Sequence, residues 1–77
     1  MSAKSNFFTV NGYTFRELDR YPGFFSVHYR GAPLGLLRKV KDKWFDVEGQ
    51  KHHHQPEDAA SVMKTRFYKQ LREAKSA

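Results

Sequence analysis

The residues of this chain whose types could do chemistry are four histidines (His28 and the run His52-His53-His54), the scattered carboxylates Asp19, Asp42, Asp46 and Glu48, and a run of cations that ends at one indole. Histidines suggest a metal first. Neighbouring side chains on an extended backbone alternate in direction, so His52 and His54 share a side and His28 could join them. A third or fourth ligand and the outer groups that would orient the rings have no counterpart in the sequence, so no metal is expected and the triplet reads as a solvated loop able to touch phosphate. Catalysis has less support. No nucleophile stands beside a base and an orienting group, and Gly31, Gly35 and Gly49 lack the spacing of a phosphate-cradling loop. The chain is read as a non-enzyme with no catalytic residue and no cofactor.

The cations and the indole remain. Between His28 and Phe45 stand Arg30, Arg38, Lys39, Lys41 and Lys43, opposed by Asp42 alone, with Trp44 beside them. Cations grip phosphate, and an exposed ring can stack on a base. The whole chain agrees, since 14 Lys and Arg against 8 Asp and Glu leave a net charge of +6 on 77 residues. Lys64 and Arg72, further on, are expected to hold phosphates at the periphery. The plainer reading is that such lysines keep sheet edges soluble and that the N-terminal hairpin buries Trp44.

These residues need elements to hold them. Phe25, Val27 and Tyr29 alternate with Ser26, His28 and Arg30, the period of a half-buried strand. Arg30-Gly31 then reads as a two-residue turn that sets Tyr29 opposite Ala32, Val27 opposite Leu34 and Phe25 opposite Leu36. A second reversal at Lys41, Asp42 and Lys43 puts Phe45 and Val47 on the face of Leu34, Leu36 and Val40. The other face then carries Phe24, Ser26, His28, Arg30, Leu37, Lys39, Lys41, Trp44 and Asp46, and Pro33 suits an edge or a bulge. Upstream, Asn11-Gly12 is a strong hairpin signal that places Val10 opposite Tyr13 and Phe8 opposite Phe15. Tyr21-Pro22-Gly23 reads as a further turn. Pro56 followed by Glu57 and Asp58 starts a helix, on which Ala60, Met63, Phe67, Leu71 and Ala74 form one apolar stripe.

The expected fold is α+β, a small antiparallel sheet made of a three-stranded meander plus an N-terminal hairpin, packed by one C-terminal helix. Its parts are a disordered N-terminus (1–6) and a single domain (7–75), divided into hairpin 7–18, meander 24–48, loop 49–55 and helix 56–74. The absence of cysteine excludes disulfides and thiolate chemistry and suits a reducing compartment. No apolar run approaches the roughly 18 residues of a membrane span, so a cytoplasmic protein is expected. The element order over 24–74 resembles the arm-binding amino-terminal domains of phage integrases and the plant AP2 domain, and Tyr29-Arg30-Gly31 matches a tripeptide of the latter. That resemblance implies a sheet laid in a DNA groove; no residue's role is taken from it.

Together these readings describe a small basic accessory protein that binds DNA or RNA through an exposed sheet face and basic turns. Its site residues are Arg30, Arg38, Lys39, Lys41, Lys43, Trp44, Lys64 and Arg72. The alternative is a non-enzymatic protein-binding module, a compact inhibitor or adaptor of the kind phages and mobile elements encode, that engages an acidic host protein.

Overall fold

Two hairpin turns have the left-handed backbone that a two-residue reversal requires. Asn11 and Gly12 sit at φ of 52° and 85°, and Arg30 and Gly31 at 51° and 84°. In the computed structural model, which describes residues 6–76, these turns join the first strand to the second and the third to the fourth of six. The strands are β1 (Phe7–Val10), β2 (Tyr13–Glu17), β3 (Phe24–Tyr29), β4 (Ala32–Val40), β5 (Lys43–Asp46) and β6 (Lys51–His53), followed by helix α1 (Pro56–Ser76). All six form one antiparallel sheet in chain order, so the architecture is α+β. No described helix is long and apolar enough to cross a membrane.

Val10 faces Tyr13, Phe8 faces Phe15 and Tyr29 faces Ala32, as the sequence predicts. Beyond Ala32 the register departs from expectation. Val27 pairs with Gly35 and Phe25 with Leu37, because Leu34 is an extra residue bulged out of the ladder. Strand side chains alternate with a period of two, so one inserted residue exchanges the faces of everything after it. Leu37, Trp44 and Asp46 therefore turn toward the helix and are buried, while Leu36, Phe45 and Val47 lie on the other face. This corrects the expected positions of Leu36, Leu37, Lys39, Val40, Trp44, Phe45, Asp46 and Val47. Gly35 makes the bulge possible: its φ of 139° is rarely open to an L side chain, and a Cβ there would lie 3.1 Å from the Met63 methyl.

The segment 49–55, expected as a loop, contains β6, which pairs along β5 from Trp44↔His53 to Asp46↔Lys51. A three-residue strand of Lys and His has no apolar period to announce it. Of the N-terminal segment expected to be disordered, residues 1–5 lie outside the described residues. Asn6 is tied down, its carbonyl accepting the Glu17 N–H at 2.8 Å.

The core lies between the sheet and α1. Phe15, Val27, Leu37, Ala59, Ala60 and Met63 have no exposed surface, and full burial of a large apolar side chain contributes about 1.5–3 kcal/mol. Trp44 sits among Phe8, Phe15 and Phe25 at centroid distances of 5.8, 6.3 and 5.0 Å. The N-terminal hairpin helps to bury it. The small Ala59 and Ala60 let the helix approach the sheet, and Met63 fills the space over Gly35. The stripe ends early, because Leu71 and Ala74 are exposed along with every other residue from Tyr68 to Lys75. The last two turns of α1 project past the sheet.

A buried ion pair fastens α1 to β5. Arg66 donates from Nη1 and Nη2 to the two carboxylate oxygens of Asp46 at 2.9 and 3.0 Å, and the Gly49 N–H adds a third bond at 3.2 Å. Burial pushes the Asp46 carboxyl up, but these bonds and the charges of Arg66 and His53 outweigh it and hold the group below the ordinary aspartate range.

Candidate nucleic-acid interface

The helix covers one face of the sheet, and the opposite face is open. Residues directly across an antiparallel ladder share a face, so the register defines the open side in rows that cross the strands. One row is Phe24 (β3), Arg38 (β4), Phe45 (β5) and His52 (β6). The next is Phe7, Arg16, Ser26 and Leu36 across β1 to β4. The third is Thr9, Thr14, His28 and Pro33. Val40 and Lys43 close the end beyond Phe24.

The first row sets the Arg38 guanidinium between the Phe24 and Phe45 rings, with the His52 imidazole beyond Phe45. The Arg38 guanidinium lies 5.4 Å from the Phe24 ring centroid, and Phe45 and His52 are 4.7 Å apart. In the second row Arg16 lies over Phe7 at 6.0 Å. Such contacts place a guanidinium beside a ring without consuming its N–H donors.

No carboxylate stands in these rows. The two acidic strand residues, Glu17 and Asp46, face Phe25 and Leu37 on the helix side. Both are occupied. Glu17 accepts from the Gly23 N–H at 2.8 Å and from the Asn6 amide at 2.7 Å, bonds that keep its carboxyl below the usual range. Asp46 is held by Arg66. Arg66 pairs with Asp46 and with Glu48, and among the described residues Arg16 and Arg38 of the open rows form no such pair. The formally charged side chains of these rows, Arg16, Arg38 and Lys43, are therefore all cationic.

The surface carries an apolar groove and a polar one. Leu18, Tyr21, Phe24 and Leu36 line an apolar groove of about 300 Å³. Thr14, Arg16, Ser26, His28 and Gly31 line a polar one of about 370 Å³.

Of the residues expected to form the site, Arg38 and Lys43 lie on the open face and the others do not. Trp44 is 8% exposed and packs in the core, so it has no free ring face to offer a base, which corrects its expected role as the stacking residue. Lys39 belongs to the helix side, with its Nζ 5.1 Å from the Trp44 ring. Arg30 and Lys41 sit in turns at positive φ. Lys64 lies over the Tyr29 and Tyr13 rings at 4.6 and 5.8 Å, and Arg72 is on the projecting part of α1. The structure thus adds Arg16, Phe7, Phe45 and His52 to the expected Arg38 and Lys43, beside Phe24, Ser26 and His28, which were expected on this face. The adjacent Leu36-Leu37 and Trp44-Phe45 pairs, each with one apolar residue too many for strict alternation, were the available signal.

The histidines do not converge. His52 is on the open face, His53 pairs across from Trp44 on the helix side, and His54 is exposed after the strand. His28 and His52 share the open face but sit three strands apart, roughly 14 Å at the spacing of a sheet, too far to share a metal. No metal-binding cluster occurs among the described residues. Set against known protein families, characterised proteins and solved structures, the chain matches none of them.

Proposed function

We propose that this protein binds single-stranded nucleic acid on the open face of its sheet. The observation that supports this most strongly is the row Phe24, Arg38, Phe45, His52, set on a face without a carboxylate. An unpaired strand offers both things that such a row can use, a base face for each ring and a phosphate for each cation. A duplex hides its base faces, so half-buried rings on a broad sheet favour single strands. Lys43 at one end and Arg16 at the other extend the positive surface along the strand direction.

The test is fluorescence anisotropy with labelled single-stranded and duplex oligonucleotides across a salt series. Phe45→Ala should weaken single-strand binding by about 1–3 kcal/mol, the range for one base on one ring. Arg38→Gln should lower the slope of log affinity against log salt by about 0.7. Tighter binding to duplex than to single strands, or unchanged affinity in both variants, would overturn the proposal.

The apolar groove of Leu18, Tyr21, Phe24 and Leu36 favours a second reading, in which the face takes an apolar side chain of an acidic protein partner. That reading expects saturable one-to-one protein binding that is lost in Leu36→Glu, with no affinity for oligonucleotides in the unaltered chain.

A further inference from the structure

The aromatic row occupies one end of the open face, and the polar groove occupies the other. That groove is built by the register of two neighbouring strands: Thr14 lies opposite His28 and Arg16 opposite Ser26, giving a two-by-two block of side chains that can donate hydrogen bonds. We infer that this block is a phosphate site, filled by the backbone of the strand whose bases lie on the Phe24 row; the source of that phosphate rests on the function proposed above.

The chemistry of the block selects an oxyanion. A guanidinium has five N–H donors and no acceptor, and two hydroxyls and an imidazole complete a mixed donor set. The Arg16 guanidinium lies 6.0 Å from the Phe7 ring centroid, a contact that leaves its charge unneutralised. The Ser26 hydroxyl reaches the Arg16 carbonyl only at 3.5 Å, a long contact that leaves it able to turn toward a ligand. No carboxylate lines the groove, so nothing in it repels an anion or competes for the arginine. A neutral or cationic ligand would leave the guanidinium unmatched, whereas a phosphate oxygen can take its paired N–H groups.

Position agrees with chemistry. Ser26 and His28 stand two and four residues along β3 from Phe24, about 7 and 14 Å at the rise of a strand. A chain with one base on Phe24 and running along β3 carries its next phosphates over the block.

Amide-resolved NMR titrations of the intact chain test the site, using inorganic phosphate, the dinucleotide thymidylyl-thymidine and a short oligothymidylate. The site predicts saturable shifts at Thr14, Arg16, Ser26 and His28 with all three. Arg16→Gln and His28→Ala should each weaken phosphate binding about tenfold, the loss expected of one charge-assisted bond, with thermal unfolding unchanged in Arg16→Gln. Shifts that instead grow linearly at Lys41, Lys43 and Lys75, or affinities unchanged in both variants, overturn the site. The two proposals can fail separately. If oligothymidylate binds and both variants keep its affinity and salt slope, the phosphate site falls and the nucleic-acid reading stands. If inorganic phosphate saturates the block but no oligonucleotide binds, the site stands as one for free phosphate and the nucleic-acid reading falls.

Discussion

Removing the Asp46 carboxylate should cost this small domain a large part of its stability. Asp46→Ala deletes the acceptor of two Arg66 N–H bonds, at 2.9 and 3.0 Å, and of the Gly49 N–H at 3.2 Å. Taking one partner from a buried pair costs about 3–5 kcal/mol, because the other charge stays desolvated. Arg66 is 23% exposed and can recover some hydration, which lowers the expected loss to about 2–4 kcal/mol. A 77-residue domain has roughly 4–12 kcal/mol in total. The midpoint of thermal unfolding should therefore fall by about 10–25 °C, at roughly 4–8 °C for each kcal/mol. Urea unfolding followed by Trp44 fluorescence and by circular dichroism measures the loss, in a cycle with Arg66→Ala and the double variant. The double variant should lose much less than the sum of the singles, since both remove the same bonds. Acid supplies an independent check. The folded-state pKa of Asp46 lies below its unfolded value, so its contribution is complete above pH of about 4 and disappears as pH falls through the folded value. Stability should drop more steeply below pH of about 4 in the unaltered protein than in Asp46→Ala. A loss under about 1 kcal/mol, or additive singles, would refute the claim that this pair fastens the helix to the sheet.

Other substitutions probe the remaining joints. A Cβ at Gly49 would lie 2.6 Å from Asp46 Oδ2 and 2.7 Å from Arg66 Nη1, so Gly49→Ala should destabilise the chain, and its effect should largely vanish in an Asp46→Ala background, as chemical denaturation can show. Gly35→Ala forces an alanine to φ of 139° beneath Met63 and should cost about 1–3 kcal/mol by the same measurement; a silent substitution would mean the bulge is not needed. Trp44→Phe should lower the thermal midpoint while leaving oligonucleotide affinity intact, because the indole is 8% exposed on the helix side; lost affinity would return Trp44 to the binding surface. The buried His53 Nε2 has no partner among the described residues, so His53→Leu should raise the midpoint, by an amount equivalent to about 1–2 kcal/mol, and a lowered midpoint would count against that account.

Local signals were legible wherever backbone chemistry decides the outcome. Asn11-Gly12 and Arg30-Gly31 form turns because their residues accept positive φ, and the adjacent pairs Val10↔Tyr13 and Tyr29↔Ala32 follow from those turns. Gly23 takes φ of 88° after Pro22, and the Phe24 N–H closes that turn on the Tyr21 carbonyl at 3.0 Å. Pro56 with Glu57 and Asp58 marks the start of the helix for a similarly local reason. The α+β class was therefore readable, as was the place of Phe24, Ser26 and His28 on the face away from the helix, whereas the cations expected there, Arg30, Lys39 and Lys41, lie in turns or on the helix side. The short strand Lys51–His53 was not, since its pairing comes from β5 and its residues carry no pattern of their own.

The identity of the residues on that face was settled elsewhere. Alternation tells which side chains share a side only while the ladder keeps its count, and at Leu34 the count slips by one. Pro33 and Gly35 allow a bulge there, but Met63 packing over Gly35 and the burial of Leu34 and Leu37 are long-range contacts between sheet and helix. Those contacts put Trp44 inside and Phe45 outside, and they carry Asp46 to Arg66. By itself, the order of residues determined the turns, the helix and the excess of positive charge, each of which depends on neighbours a few positions apart. Tertiary packing decided which rings and which cations meet solvent together, because the burial of apolar surface against the helix selects one register from two that local preferences leave nearly equal.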